Sequence, residues 1–162
     1  MNDRSAPRLP NAAPPAGDAR PTRYRLDEQI GFLLRRATQR HLAIFAAGMG
    51  GRSGGPDLTP MQWAVLAKLH ETGPSAQNLL GRNTAMDAAT VKGVVDRLVA
   101  RGLAETRPDP ADGRRRTVAL TEEGRQLVER LTPYADAVTE ETLAPLTDTE
   151  CDQLAALLKK LG

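Results

Sequence analysis

The chain reads as mostly α with a small β-hairpin. Three observations point there. Apolar residues recur at helical spacing through most of the chain. Helix-start signatures stand ahead of the helical patterns at Thr59, Ser75, Asp87, Thr121 and Thr147. Only Leu103 to Leu120 reads as paired strands, around an Asp112-Gly113 turn.

Composition bounds what such a chain can do. Its 162 residues suffice for one domain with a real core. The formal net charge is only +2 although the pI is near 9.0, so a nucleic-acid reading must rest on where the basic residues lie. Aromatics make up 3%, which argues against a binder that stacks single-stranded bases. The lone cysteine, Cys151, excludes an internal disulfide framework and a Cys-cluster zinc site, and suits a reducing compartment. No run approaches the roughly 20 apolar residues of a membrane helix, and the N-terminus lacks a signal-peptide core. A soluble cytoplasmic protein without metal or cofactor is expected.

Residues 1–22 carry Pro7, Pro10, Pro14, Pro15 and Pro21 among small and polar residues, and are expected to form a disordered tail. A single domain should span 23–162. Its first helix carries the stripe Ile30, Leu33, Leu34, Ala37, His41, Ile44 and Phe45, and should end at the Gly-rich "GMGGRSGG". In "LTPMQW", Thr59 caps, Pro60 takes the first helical position, Gln62 completes a capping box, and Leu58 and Trp63 form a hydrophobic staple. This second helix runs to about His70. Ser75 is expected to cap the short helix "AQNLLGRN", and Asp87 to cap "AATVKGVVDRLVARG", closed by Gly102. Strands at Leu103 to Arg107 and Thr117 to Leu120 follow. Thr121 starts a helix with Glu122 and Glu123 in its first turn, which Pro133 should kink or split. The last helix opens on Thr147 with Glu150 and shows a stripe of Cys151, Leu154, Leu158 and Leu161.

Helix, helix, short helix, turn, capped helix and hairpin make the layout of a winged helix-turn-helix. In the capped helix, Val91, Val94, Val95 and Leu98 form the inward stripe. Ala88, Ala89, Lys92 and Asp96 point away, with Thr90 at the border. Small residues let a backbone approach base edges, Thr90 can bond a base or phosphate, and an alanine can touch a thymine methyl. The three consecutive arginines Arg114, Arg115 and Arg116 would repel one another unless a polyanion met them. A hairpin beside a recognition helix lies over the minor groove, whose narrow width attracts arginine. Asp112 would restrain one of the three by an ion pair. Ser75, Gln77, Asp87 and Arg97 complete the expected DNA-binding set. The first helix and the last pair carry more apolar stripe than the DNA-binding lobe could cover, which calls for a second copy.

"VVDRLVARGLAETRPDPADGRRRTVALTEEG", together with "LTPMQWAVLAKL", closely resembles the MarR family of bacterial transcription regulators. The Asp96-Arg97-Leu98 run, the pair at Gly102, the Asp-Pro-x-Asp-x-Arg wing and the Leu-Thr-x-x-Gly after it carry the likeness, which covers about Tyr24 to Gly162. The resemblance implies an obligate homodimer, built by residues 23–48 and 121–162, whose lobes at 58–120 grip a palindromic operator. It also implies that a small aromatic acid, bound between the dimer helices and the lobe, releases the DNA. Carried across, the wing arginine is Arg114, its acidic neighbour is Asp112, and Thr90 lies in the recognition helix. The stretch "DEQIGFLLRRATQRHLAIF" looks most like the branch that controls nicotinate breakdown, which points to a hydroxypyridine carboxylate as effector. One departure is that "DAATVKG" is poorer in polar side chains than is usual there, so specificity should lean on the wing and on DNA shape.

The expected effector set is Thr38, Arg40, His41 and Phe45 on the first helix with Trp63 and His70 on the second. A polar group in an apolar cleft is what small-molecule sites look like. Core packing competes for Trp63 and His41, and a solvated surface role for Arg40. Other readings have less support. Cys151 starts the last helix on its apolar stripe, whereas peroxide sensors resembling this family place their cysteine near the start of the first, so core filling is favoured over a redox role. The basic hairpin of a winged-helix protein-interaction module could instead meet an acidic partner. No nucleophile-base-orienter set is present, and "GMGGRSGG" lacks the lysine and preceding strand of a P-loop, so an enzyme is not expected.

Overall fold

The computed structural model describes residues 24–49, 57–108 and 116–161. The proline-rich tail, the Gly-rich loop and the tip of the hairpin therefore lie outside the described residues. A short 3-10 turn, Leu26–Glu28, leads into α1 (Ile30–Met49). Then come α2 (Pro60–Thr72), β1 (Ser75–Ala76), α3 (Gln77–Asn83), α4 (Ala88–Ala100), β2 (Ala104–Pro108), β3 (Arg116–Leu120), α5 (Glu122–Leu143) and α6 (Asp148–Leu161).

Most helix starts follow the sequence signals. The Thr59 side chain accepts from the Gln62 amide at 3.2 Å, and the Gln62 side chain accepts from the Thr59 amide at 3.0 Å, closing the capping box. Asp87 accepts from the Thr90 amide at 2.7 Å. Thr121 accepts from Gly124 at 3.0 Å while donating to the Gly102 carbonyl at 2.7 Å, so one hydroxyl both starts α5 and ties it to the end of α4. Gly102, at φ +71°, lets the chain leave α4: its amide bonds Val99 and that of Leu103 bonds Leu98.

Three expectations need correction. Ser75 does not cap α3; it forms strand β1, opposite Val118, is buried, and points its hydroxyl at the Ala76 carbonyl. Ala76 precedes α3 with no side-chain cap, because sheet pairing has claimed the residue whose chemistry suited the helix start. Of the two outcomes expected at Pro133, the split does not occur: α5 runs unbroken through it from Glu122 to Leu143. The residue faces water, so the carbonyl that loses its amide partner can be solvated. Cys151 is half-buried and outside the core, since α6 buries none of its residues against the protomer.

The sheet is antiparallel in the order β1-β3-β2, with Ala104 opposite Leu120 and Pro108 opposite Arg116. It closes one side of a continuous core of α2, α3, α4 and α5, in which Val65, Leu66, Leu80, Val91 and Leu98 have no exposed surface. Only the C-terminal half of α1 enters this core, through Ile44, Phe45 and Met49. There α1 approaches α5 closely: a Cβ on Gly48 would sit 2.9 Å from a Val138 methyl carbon. Among the described residues no helix is long and apolar enough to cross a membrane.

Candidate nucleic-acid interface and effector cavity

The amphipathic pattern of α4 decides what it offers to the outside. Val91, Val94, Val95 and Leu98 are buried, which turns Ala88, Ala89, Lys92 and Asp96 to water with Thr90 half-buried at the edge. Two contacts hold the first turn. Besides the amide bond, the Thr90 hydroxyl donates to the other Asp87 carboxylate oxygen at 2.8 Å. These bonds from Thr90, the amide first and the hydroxyl second, hold the Asp87 carboxyl below its ordinary value. Thr90 keeps its lone pairs free to accept from a base or from water. Lys92 pairs with Asp96 at 2.6 Å, and Arg97 donates back to the Gly93 carbonyl at 2.9 Å. Both pairs are exposed, so a phosphate can compete for either cation.

Beside α4 lies the wing. Arg116 opens β3, is exposed, and donates to the Thr106 carbonyl at 3.1 Å, which fixes its stem against the neighbouring strand. It shares a shallow groove with Gln77, Asn78 and Arg82 of α3. Asp112, Arg114 and Arg115 lie outside the described residues. Arg107 in β2 pairs with Glu105, which raises its pKa by hydrogen bonding and by charge. Sequence reasoning overlooked Arg82 and Asn78. Their signal was a basic residue in the last turn of the short helix and a polar one in its first.

A second feature sits where α1, α2 and α5 meet, a cleft of about 480 Å³. His41 and Phe45 face it from α1, Trp63 and His70 from α2, and Thr132, Asp136 and Thr139 from α5. Its size and mixed lining match small-molecule sites. His41 is held in place: Thr142 has one hydroxyl hydrogen and donates it to the Val138 carbonyl at 2.7 Å, so the 3.0 Å contact between His41 Nδ1 and Thr142 Oγ1 requires Nδ1 to donate. The His41 and Phe45 rings lie 6.4 Å apart, tilted by 53°. On the opposite wall His70 Nε2 stands 3.7 Å from a Glu129 carboxylate oxygen.

Four of the six expected effector residues line this cleft: His41, Phe45, Trp63 and His70. Arg40 and Thr38 do not. Arg40, one residue before His41 on α1, reaches α5 instead and donates to the Glu141 carbonyl at 2.9 Å. Thr38 is exposed on that helix. Missed entirely were the α5 residues, which local pattern could not connect to helices so far back in the chain. Among the described residues no group of three or more His, Cys, Asp or Glu is arranged to hold a metal.

Comparison with known proteins bears on both features. A profile of the MarR family matches residues 57–115. The HTH-type transcriptional repressor NicR of Pseudomonas putida is 41% identical over 86% of this chain and 86% of its own. A probable transcriptional regulator from Pseudomonas aeruginosa superposes with a TM-score of 0.79 at 51% identity, covering 85% of this chain and 100% of that one. BpsR of Bordetella bronchiseptica, whose DNA binding is regulated by 6-hydroxynicotinic acid, has a TM-score of 0.79 at 41% identity, over 85% of this chain and 96% of its own.

Proposed function

The chain belongs to the MarR family of transcriptional regulators, and from that premise we propose that it is a homodimeric repressor released from a palindromic operator by a small aromatic carboxylate. The observation that carries the reading is the juxtaposition of two things. One is a capped helix whose outward face carries small residues with the exposed Lys92 and Arg97. The other, behind it, is a cleft of effector size lined by Phe45, Trp63 and two histidines.

In this reading residues 58–120 are the DNA-binding lobe, and 23–48 with 121–162 are the dimerisation helices. The exposed leucines of α6 (Leu154, Leu157, Leu158 and Leu161) and the exposed Ile30, Leu33 and Leu34 of α1 support a partner copy, because so much exposed apolar surface is costly in water. A two-fold dimer sets two recognition helices roughly 34 Å apart, one turn of DNA. Lys92 and Arg97, with Arg114, Arg115 and Arg116 of the wing, neutralise phosphates; Ala88, Ala89 and Thr90 approach base edges. Gln77 contributes from α3, and Asp87 acts by capping.

The effector is a nicotinate-pathway hydroxypyridine carboxylate, supported by the similarity to NicR and to BpsR. Seated between α1, α2 and α5, it would favour a spacing of the two lobes that no longer fits the operator. A ligand shifts an equilibrium only by its differential affinity, so a 100-fold loss of DNA binding needs about 2.7 kcal/mol of coupling. Acting on DNA, the protein would work in the cytoplasm and has no need of a cofactor.

Fluorescence anisotropy with duplexes tiled across the DNA upstream of its own gene tests the proposal. Two protomers should bind one duplex and leave the others at non-specific affinity. A uniform, sequence-blind affinity for every duplex would refute operator recognition and favour a protein-interaction module.

A further inference from the structure

The basic residues of the lobe differ in what already holds them. Lys92 is paired with Asp96, Arg107 is paired with Glu105, and Arg97 donates to the Gly93 carbonyl of its own helix. Arg101 donates to the Asp57 carbonyl at 2.8 Å. A phosphate that recruits any of these four must first take it from an acceptor within the protein. Arg82 stands apart. It is exposed, and among the described residues it has neither a hydrogen-bond nor an ion-pair partner. Arg116 is nearly as free, because it gives one N–H to a neutral acceptor, the Thr106 carbonyl, and keeps its other guanidinium donors.

These two arginines line one groove of about 470 Å³, although they come from different elements, α3 and β3. The other polar side chains along it are the amides of Gln77 and Asn78, which can donate, and no carboxylate lines it among the described residues. Sheet register builds the groove. Ala76, directly before α3, lies opposite Thr117, so backbone pairing sets the start of α3 beside Arg116. Its two walls are therefore spaced before any ligand arrives. A guanidinium meets a phosphate through two parallel N–H···O bonds, and two guanidinia on facing walls can share one phosphate.

We infer that Arg82 and Arg116 clamp one phosphodiester of the operator backbone between α3 and the wing, and that this contact, rather than Lys92 or Arg97, sets the register of the lobe on the duplex. The inference rests on residues 58–120 being a DNA-binding lobe, and adds Arg82 to it as a positioning residue. Such a clamp is blind to sequence, since every nucleotide offers the same phosphate. Removing Arg82 therefore weakens cognate and non-cognate duplexes alike.

The test is fluorescence anisotropy with operator duplexes in which one phosphate at a time is replaced by a neutral methylphosphonate. Wild type should lose about tenfold at one phosphate of each half-site. In Arg82→Ala, and separately in Arg116→Ala, that same replacement should cost less than about twofold, while Lys92→Ala should stay as sensitive to it as wild type. Arg82→Ala should bind every unmodified duplex about tenfold more weakly, with a salt slope flatter by about 0.9. Arg82→Lys, which keeps the charge without the fork, should restore the slope and only part of the affinity. Thermal melting of these variants should match wild type, since the side chains are exposed. Arg82→Ala with wild-type sensitivity at every phosphate, Arg82 and Arg116 masking different phosphates, or Lys92→Ala losing more affinity than Arg82→Ala would each overturn the clamp while operator recognition stands. Uniform wild-type affinity for all duplexes, cognate and non-cognate, with no phosphate standing out, would overturn both.

Discussion

The residues from α2 to β3 and the helices α1 and α6 are made of similar amino acids but finish their packing differently. Within the first region every helix buries its apolar stripe inside the protomer, in a core completed by α5 and the C-terminal half of α1: α4 alone buries four aliphatic side chains, and Leu66, Leu80 and Leu98 are sealed completely. In the second, α6 is just as amphipathic by pattern and buries nothing, with Leu157 at 57% and Leu161 at 74% exposure. A stripe is a statement about what a helix needs, and only packing tells whether the same protomer supplies it. The first region finishes its packing within the protomer. The second leaves its stripe exposed, which is the surface the proposed dimer would cover.

The first region should fail from the inside. Leu98→Ala removes a side chain with no exposed surface and should cost about 2–5 kcal/mol in urea denaturation. A cost under 1 kcal/mol would mean the lobe is looser than its burial indicates. The outer region should fail differently. Leu154→Asp combined with Leu158→Asp touches no core side chain, yet should give a monomer by light scattering and lower operator affinity by about 100-fold or more, because the second lobe no longer adds its grip. A dimer that survives both charges would remove α6 from the interface.

Smaller effects sharpen the boundary. Thr121→Ala loses the cap of α5 and the tie to Gly102, and thermal unfolding should register about 1 kcal/mol. Lys92→Ala loses only an exposed i,i+4 pair, so stability should change by less than about 0.5 kcal/mol. Operator affinity should nonetheless fall evenly across sequences, with a salt slope flatter by about 0.9. An unchanged slope would place Lys92 off the phosphate path. Acid should do least. Thr90 holds the Asp87 carboxyl below its ordinary value, so the cap's contribution is present above the ordinary carboxylate range and is lost only as pH falls through the depressed value. The affinity ratio of wild type to Asp87→Ala should therefore stay constant from about pH 8 to 5. A ratio that closes within that window would contradict the cap.

Much of this was legible from the chain, and the exceptions share a cause. Thr59, Asp87, Thr121 and Thr147 are local signals, each satisfied by a partner three residues on, and all four appear as expected. The buried face of α4 is also local, set by a 3.6-residue period. Ser75 misled because its strand partner, Val118, is 43 positions away and carries no mark near Ser75 itself. Half of the cleft was foreseen, since His41, Phe45, Trp63 and His70 stand out as polar or aromatic residues on apolar faces. Its other half, Thr132, Asp136 and Thr139, looks like the solvated side of an ordinary helix until α1 is packed against it. Arg40 and Thr38 were included for their chemistry, and they do not line the cleft.

In the proposed repressor the cleft and the recognition helix are energetically coupled, and thermodynamic linkage makes the coupling reciprocal. Operator affinity should be measured with and without saturating 6-hydroxynicotinate, and the affinity for that acid, read from Trp63, with and without saturating operator. The account predicts the same factor in both directions, about 100-fold. An operator affinity that does not move at saturating acid, while Trp63 reports the cleft filled, would contradict it.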